Sequence, residues 1–415
     1  MAETTETNNR TGELIDFLEA RRRLIDEHGT SSRGARSPLL EPLRKILKAP
    51  DIEPYFDVFI YKPENCLDLV HNVVENHGIA GSTKDILQAL AHLGVEEFSR
   101  QARENYLFDN RERATELIRS GANLAIAAGD WMTAEKIWLE LNEFAAEAGP
   151  PDPKLQQQVL FEMGNMLSSR DETESAIEYY ILCDEMMSAD NDIENRVKIQ
   201  LALGREYLAS GEGDKALTRY RSAGELIGDR NMPDERFHSQ LGRGLALESL
   251  DRIDEALACT VRAIELADAG TDLSNRIAAR RHLSRVLDLY GIKDEPYEYL
   301  LDAIRLSSLS DDIESRMTLL YDLFDLACRD GRWGDFQLEL LSFQNRIHET
   351  EEFHLLGPLL VLAARAHTER GLLHLALHSL EEAEHLFNAM EQFDRLEEVQ
   401  ATLERLRIMI AESRH

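Results

Sequence analysis

The chain has 415 residues, of which 43% are hydrophobic and 30% charged, and its net charge at pH 7 is −31. This apolar content supports a packed fold, whereas so large an excess of acid excludes a general affinity for nucleic-acid backbones. No stretch approaches the roughly 18 apolar residues that a membrane helix needs, and the N-terminus is polar, so we expect a cytoplasmic protein without membrane contact.

The basic residues are biased, with nine lysines against 37 arginines. An acid excess with so little Lys resembles the proteins of salt-in halophiles, whose acidic surfaces keep them soluble, and indicates a halophilic archaeon. A GC-rich genome is the alternative source of the Arg bias. The four cysteines are scattered without a close pair, which argues against a disulfide framework and against a zinc knuckle.

Residues 1–110 are predicted to form an N-terminal helical region. A helix is expected to start at Thr11, and the Gly- and Ser-containing stretch 29–38 is typical of a mobile loop. Residues 82–108 resemble a degenerate helical hairpin whose turn lies near Gly94. We expect this region to cap the repeats that follow it.

From 111 to 390 the chain repeats one pattern. In one copy, the small anchor Ala216 follows Gly204 by twelve residues and Gly211 by five, and Tyr220 comes four residues later. The seven anchors, six of them spaced by 40 residues, are Ala134, Ala176, Ala216, Ala256, Pro296, Phe336 and Ala376. Apolar residues recur every three or four positions, and a Gly or Asp marks the middle of each copy, so each copy is a helical hairpin that must stack on its neighbours.

Two polar series follow the same register. The first is Arg196, Arg236, Arg276 and Arg316, and the second is Asp192, Asp272 and Asp312. The aspartates precede apolar-periodic runs and are predicted to cap the first amide groups of a helix. We expect the arginines to form ion pairs with acidic residues near the end of a neighbouring helix; a ligand-binding role is the alternative.

The pattern in residues 204–223, with Gly, Tyr, Gly, Ala, Tyr and Ala at fixed spacing, resembles the tetratricopeptide repeat (TPR). The usual spacing of 34 residues is lengthened to 40, which is similar to the longer repeats of Pins-type and kinesin-light-chain adaptors. The resemblance implies an all-α fold, a right-handed α-solenoid (superhelix) of about seven helix-turn-helix hairpins. An N-terminal helical cap and a C-terminal capping helix over 391–415 complete the predicted architecture.

No sequence motif for catalysis is found. A phosphate-binding Gly loop, a nucleophile elbow and a paired-cysteine metal site are all missing from the sequence. His374, His378 and His385 share one helical face and could bind zinc together with Glu382, but packing or surface positions explain them equally. We therefore predict a protein that is not an enzyme and that has no cofactor and no metal site.

The TPR resemblance implies that the first helix of each hairpin lines a concave groove, in which an extended peptide or a helix binds. The candidate groove residues are Asn123, Asn165, Lys198, Arg205, Arg281, Arg285, Tyr321, Arg329 and Arg365. Arg119 is a further basic residue at a position predicted to face the groove. Over all such positions of the seven copies, seven side chains are basic and five are acidic. The count favours an acidic protein or peptide as the partner, although ion pairs within the groove are the alternative.

Two functions fit this sequence. The leading hypothesis is a non-enzymatic adaptor or scaffold that holds a segment of a partner protein in the groove. The alternative is a TPR-type regulatory sensor, in which ligand binding changes the curvature of the superhelix. Such a sensor needs a separate output subunit, because residues 1–110 contain no recognisable helix-turn-helix.

Overall fold

The computed structural model describes residues 38–46, 78, 83–127, 129–148, 152–187, 192–309, 313–350, 352–390 and 392–412. Every regular element within these ranges is helical, and the predicted all-α class is confirmed. The helix expected at Thr11 and nearly all of the loop expected at 29–38 lie outside the described residues. None of the described helices is long and apolar enough to cross a membrane.

The chain divides into two compact units, Met1–Ser210 and Gly211–His415. The described helices of the first unit are α1 (Leu40–Ile46), α2 (Thr83–Leu107), α3 (Arg111–Ala127), α4 (Trp131–Ala148), α5 (Pro153–Ser168), α6 (Thr173–Met186) and α7 (Ile193–Ala209). The pairs α3/α4 and α5/α6 form helical hairpins, and each hairpin also packs against the next helix along the chain. The long helix α2 packs against both helices of the first hairpin.

The second unit continues the same arrangement. Its helices are α8 (Gly213–Ile227), α9 (Pro233–Ser249), α10 (Ile253–Ala269), α11 (Leu273–Leu289), α12 (Glu295–Ser307), α13 (Ile313–Asp330), α14 (Trp333–Thr350), α15 (Leu356–Glu369), α16 (Leu373–Ala389) and α17 (Phe393–Glu412). The first helices of successive hairpins contact each other, α9 with α11 and α13 with α15. The described residues of each unit therefore form stacked helical hairpins, the arrangement typical of an all-α solenoid.

The hairpin expected over 82–108 is wrong, because α2 is one continuous helix from Thr83 to Leu107. Gly94 lies in the middle of this helix between Leu93 and Val95, which are both buried. A single Gly in a helix interior costs only about 1 kcal/mol relative to Ala. Burial of the flanking apolar side chains on an uninterrupted helix outweighs that cost.

The turn in each copy lies five residues before the anchor, as the repeat predicts. The backbone at these positions is left-handed, with φ between 58° and 86°. Gly enters this region without steric cost and Asp tolerates it. The residues are Gly129, Asp171, Gly211, Asp251, Gly291, Gly331 and Gly371.

The predicted helix caps are formed at two of the three aspartates. The carboxylate of Asp192 accepts a hydrogen bond from the backbone N–H of Asn195 at 3.3 Å. Asp272 accepts one from the N–H of Ser274 at 2.8 Å. Asp312 lies outside the described residues.

Two residues of the arginine series, Arg236 and Arg276, bind backbone carbonyls. Arg236 donates to the carbonyl oxygens of Gly228 and Arg230, in the loop after α8, at 2.7 and 3.0 Å. Arg276 donates to carbonyl oxygens at the end of α10 and to that of Gly270, at 3.1–3.3 Å. Arg276 approaches the carboxylate of Asp268 only to 3.9 Å. The predicted ion pair is present at Arg316, 3.3 Å from Glu339. The expectation was wrong for Arg236, because its guanidinium, which carries several donors, binds two backbone carbonyls of the loop instead.

Neighbouring helices approach closely where a large side chain on one helix packs against a small residue on the other. The ring of Tyr220 packs against Gly242 and leaves no room there for a Cβ atom. At the anchor Phe336 the side chain is fully buried, and its ring lies 5.8 Å from the ring of Phe324 and 6.3 Å from that of Trp333. Aromatic packing thus replaces the small-residue contact of the copies that have an Ala anchor.

Candidate protein-binding surface

The predicted groove residues lie on the first helices of the hairpins, which are α3, α5 and α7 in the first unit and α9, α11, α13 and α15 in the second. The solvent-facing side chains of these helices are called here the first-helix surface of each unit. Five of the predicted residues are exposed: Asn123, Arg205, Arg285, Arg329 and Arg365. Four are partly buried: Asn165, Lys198, Arg281 and Tyr321.

In the first unit, a cavity of about 390 Å³ lies between α3, α5, α6 and α7. Arg119 and Lys198 line this cavity. Each of the two cations is bound by this chain, because Arg119 donates to Glu162 at 2.7 Å and Lys198 pairs with Glu194 at 2.6 Å. The structure therefore brings two predicted groove cations together, but both are already paired.

Asn165 and Arg205 belong to a second network of the first unit. The hydroxyl of Tyr180 donates to Oδ1 of Asn165 at 2.7 Å, and burial raises the pKa of this phenol, which keeps its proton. Arg205 donates to Glu206 at 3.0 Å, and the hydroxyl of Ser168 donates to the same carboxylate at 2.8 Å. These contacts orient both predicted residues.

In the second unit, three predicted arginines join neighbouring first helices. Arg285 of α11 holds both carboxylate oxygens of Glu248 on α9, at 2.8 and 2.9 Å. Two more ion pairs join α11 to α13: Arg281 with Asp322, and Arg329 with Asp288. Ion pairs among the predicted groove residues, which the sequence left as an alternative, are therefore present.

The sequence count of inward charges overestimated the positive charge available to a partner. Glu162 and Asp322 were not counted as inward residues, yet they bind Arg119 and Arg281. Their positions lie 43 and 41 residues from their arginines. The direction of a side chain toward the next repeat cannot be read from spacing within one helix, so the count missed these partners.

A larger cavity, about 530 Å³, lies in the second unit between α13, α15, α16 and α17. Its apolar lining includes Tyr321, Phe324, Val361, Phe387 and Val399, and its charged lining consists of Arg365, Glu369, Arg395 and Glu398. Arg365 makes no hydrogen bond or ion pair with the residues that the structure describes. Arg395 stacks over the ring of Phe387, 6.0 Å from its centroid.

Sequence reasoning missed a buried polar cluster beneath the first-helix surface of the second unit. His282, with a side chain only 3% exposed, lies 3.0 Å from Oγ1 of Thr260 and 2.8 Å from a carboxylate oxygen of Glu248. Burial lowers the pKa of His282, although the hydrogen bond to Glu248 acts in the opposite direction. The sequence did contain a signal, because Thr260 and His282 replace Tyr220 and Gly242 of the preceding repeat.

The three histidines considered for zinc are exposed on α16. His378 lies 3.4 Å from Glu382. In the described part of the chain, no three metal-ligating side chains converge on one point. Burial raises the pKa of the Cys183 thiol to about 12, so this thiol is protonated at neutral pH and is a poor nucleophile.

No protein-family model matches the sequence, and no curated protein matches it. Among solved structures, BtubC from P. vanneervenii is 20% identical over 55% of this chain and 92% of that protein, with a TM-score of 0.47. A tetratricopeptide repeat protein from Parabacteroides merdae is 18% identical over 68% and 97%, with a TM-score of 0.43. Aspartyl phosphate phosphatase F from Bacillus subtilis is 13% identical over 91% and 93%, with a TM-score of 0.46. With each TM-score below 0.5, these similarities carry no conclusion about a partner or a reaction.

Proposed function

We propose that this protein is a non-enzymatic adaptor whose first-helix surfaces bind a peptide or a helical segment of a partner protein. The observation that carries the proposal is the cavity of about 530 Å³ in the second unit. Its walls are largely apolar, and Arg365 at its edge has no partner within the described residues. A cavity of this size holds one or two large side chains, and a few charged groups around it fix their orientation.

The chemistry of the cavity defines the segment that fits it. An apolar side chain would fill the space against Tyr321 and Phe324, where its burial supplies most of the affinity. A neighbouring carboxylate would bind Arg365 through charge-assisted hydrogen bonds, because no carboxylate in the described part of the chain pairs with this guanidinium. Glu369 and Glu398 would accept hydrogen bonds from backbone N–H groups of the segment. The proposed partner is thus a protein with an acidic and amphipathic segment.

In this adaptor the repeat array and the two end regions have different roles. Residues 111–390 act as the main binding array and residues 1–110 as its N-terminal cap. Residues 391–415 cap the C-terminal end and also form one wall of the cavity. We further infer a cytoplasmic protein that is adapted to concentrated salt by its net charge of −31. A thermal unfolding midpoint that does not rise with KCl concentration would contradict the salt adaptation.

Photo-crosslinking in native cell extract tests where the partner binds. The crosslinking amino acid p-benzoylphenylalanine replaces Thr402, an exposed residue that lines the cavity, and in a control protein it replaces Thr218 on α8, which is also exposed. We expect Thr402 to capture a defined protein that the control does not capture. Mass spectrometry then identifies the crosslinked segment, which should be acidic and amphipathic.

The same experiment separates the adaptor from the regulatory sensor. Equal crosslinking at both positions would place the partner outside the cavity and contradict the proposal. If neither position captures a protein, and a small molecule from the extract changes the solution dimensions of the protein, the sensor replaces the adaptor.

A further inference from the structure

The buried cluster around His282 lies directly behind Arg285 on the first-helix surface of the second unit. We propose that Arg285 is a proton-coupled binding position for a carboxylate of the partner. When the partner's carboxylate takes the guanidinium away from Glu248, His282 accepts one proton from the solvent and becomes the new cationic partner of Glu248. This inference rests on the proposed function, because it assumes that an acidic segment lies along this surface.

The geometry allows the carboxylate of Glu248 to exchange the guanidinium of Arg285 for a protonated His282. Glu248 receives hydrogen bonds from Arg285 at 2.8 and 2.9 Å and lies 2.8 Å from Nε2 of His282. The side chain of Arg285 is half exposed, whereas those of Glu248 and His282 are 15% and 3% exposed. Arg285 is therefore the only member of the three that a partner can reach. The imidazole is the member that can change its charge near neutral pH.

Thr260 allows His282 to be buried in either protonation state. Its hydroxyl lies 3.0 Å from Nδ1 of His282 and 2.7 Å from the backbone carbonyl oxygen of Ala256. When the imidazole is neutral, Nε2–H donates to Glu248 and the hydroxyl donates to Nδ1. When the imidazole is protonated, Nδ1–H donates to the hydroxyl, which then donates to Ala256. No buried donor is left without an acceptor in either state, so neither state carries that penalty.

Few charged groups act on the imidazole. Glu248 faces it from α9 and Arg285 from its own helix, while α10 contributes only the uncharged hydroxyl of Thr260. Burial lowers the pKa of His282, the hydrogen bond to Glu248 opposes that effect, and the charge of Arg285 lowers the pKa further. His282 is therefore neutral at pH 7 in the free protein. When Arg285 leaves Glu248, a buried carboxylate without its guanidinium remains beside the imidazole. This negative charge raises the pKa of His282.

Thermodynamic linkage makes the coupling reciprocal. If a bound carboxylate raises the pKa of His282, protonation of His282 must strengthen the binding of that carboxylate by the same factor. Partner affinity at this position should therefore increase as pH falls below neutral.

The test measures the pKa of His282 in the full chain by NMR of ¹⁵N-labelled histidine, with a His282→Asn variant to assign the signal. Arg285→Gln removes the guanidinium, and we expect it to raise the pKa of His282 by about one unit or more. The matched control is Arg281→Gln, on the same helix and paired with Asp322, which should leave the pKa of His282 unchanged. Tetraglutamate, as a probe for the carboxylate, should raise the pKa in the wild type and should have no effect in Arg285→Gln.

Two results would overturn the inference. An unchanged pKa of His282 in Arg285→Gln would show that the guanidinium does not control the imidazole. A pKa of His282 that tetraglutamate does not change in the wild type would show that Arg285 takes no carboxylate. Both results leave crosslinking at Thr402 untouched, so a failure of this inference is distinguishable from a failure of the proposed function.

Discussion

His282 is one of two contacting residues that differ together between neighbouring repeats. In the preceding repeat, Tyr220 packs on Gly242, and 40 residues later the same two positions hold Thr260 and His282. The large and the small side chain have exchanged places, and the imidazole lies beside the hydroxyl where the earlier pair has a phenol ring. Gly244 completes the site, because a Cβ atom there would lie 2.9 Å from both side chains.

The buried histidine also makes stability depend on pH. The pKa of His282 lies below its ordinary value of 6.5 in the native state. As pH falls through about 6.5, the His282 side chain binds a proton in the unfolded chain but not in the native protein. This one group therefore lowers the free energy of unfolding by up to about 1.4 kcal/mol per unit of pH until its native pKa is reached.

We predict that His282→Asn weakens this pH dependence between about pH 7 and pH 5. Urea unfolding at several pH values measures it, with His385→Asn, at an exposed position, as the control. The His282→Asn protein should show a smaller loss of stability than the wild type across this window, and the control should show the same loss as the wild type. A slope that is unchanged in His282→Asn would show that this imidazole titrates normally.

At the scale of helices and turns, the sequence predicted what local chemistry decides. The turns five residues before each anchor and the caps at Asp192 and Asp272 depend on residues next to one another in the chain. The turn predicted near Gly94 is not formed, because packing of α2 on its neighbours outweighs the weak helix preference of one Gly. The ion pair predicted for Arg236 is not formed, because its guanidinium donates to the backbone carbonyls of Gly228 and Arg230 in the loop between α8 and α9.

The contact between hairpins can be tested by a double-mutant cycle. Thr260→Tyr inserts a ring where His282 lies and should destabilise the protein by about 1–3 kcal/mol. His282→Gly removes the imidazole and should cost about 2–4 kcal/mol through the cavity and the lost helix preference. Because the double variant restores the Tyr–Gly pair of the preceding repeat, we expect it to recover at least about 1 kcal/mol of the summed losses.

Denaturant unfolding of the four proteins gives this coupling energy. The control cycle combines Thr260→Tyr with His385→Gly, at an exposed position of α16, and should be additive. If the losses of unfolding free energy are additive in the Thr260–His282 cycle as well, the two side chains do not compete for the same volume.

For the whole molecule, the helical-repeat class followed from the 40-residue period, whereas the charge of the binding surface did not follow from composition. Most of the predicted groove arginines are held by carboxylates one repeat away in the same unit. The cavity beside Arg365 was also beyond the sequence, because its lining comes from four helices. A period in sequence fixes which residues are equivalent, but the contacts between repeats decide which charges stay available.

Quantitative capture of the crosslinked partner by three proteins, at the salt concentration of the extract, tests whether the partner binds in the cavity beside Arg365. The wild type is compared with Arg365→Glu/Arg395→Glu and with the control Lys215→Glu/Arg262→Glu, which changes the same charge at exposed positions of α8 and α10. We predict that the cavity variant loses capture by more than about tenfold and that the control retains it. Equal capture by all three proteins would contradict a partner site in this cavity.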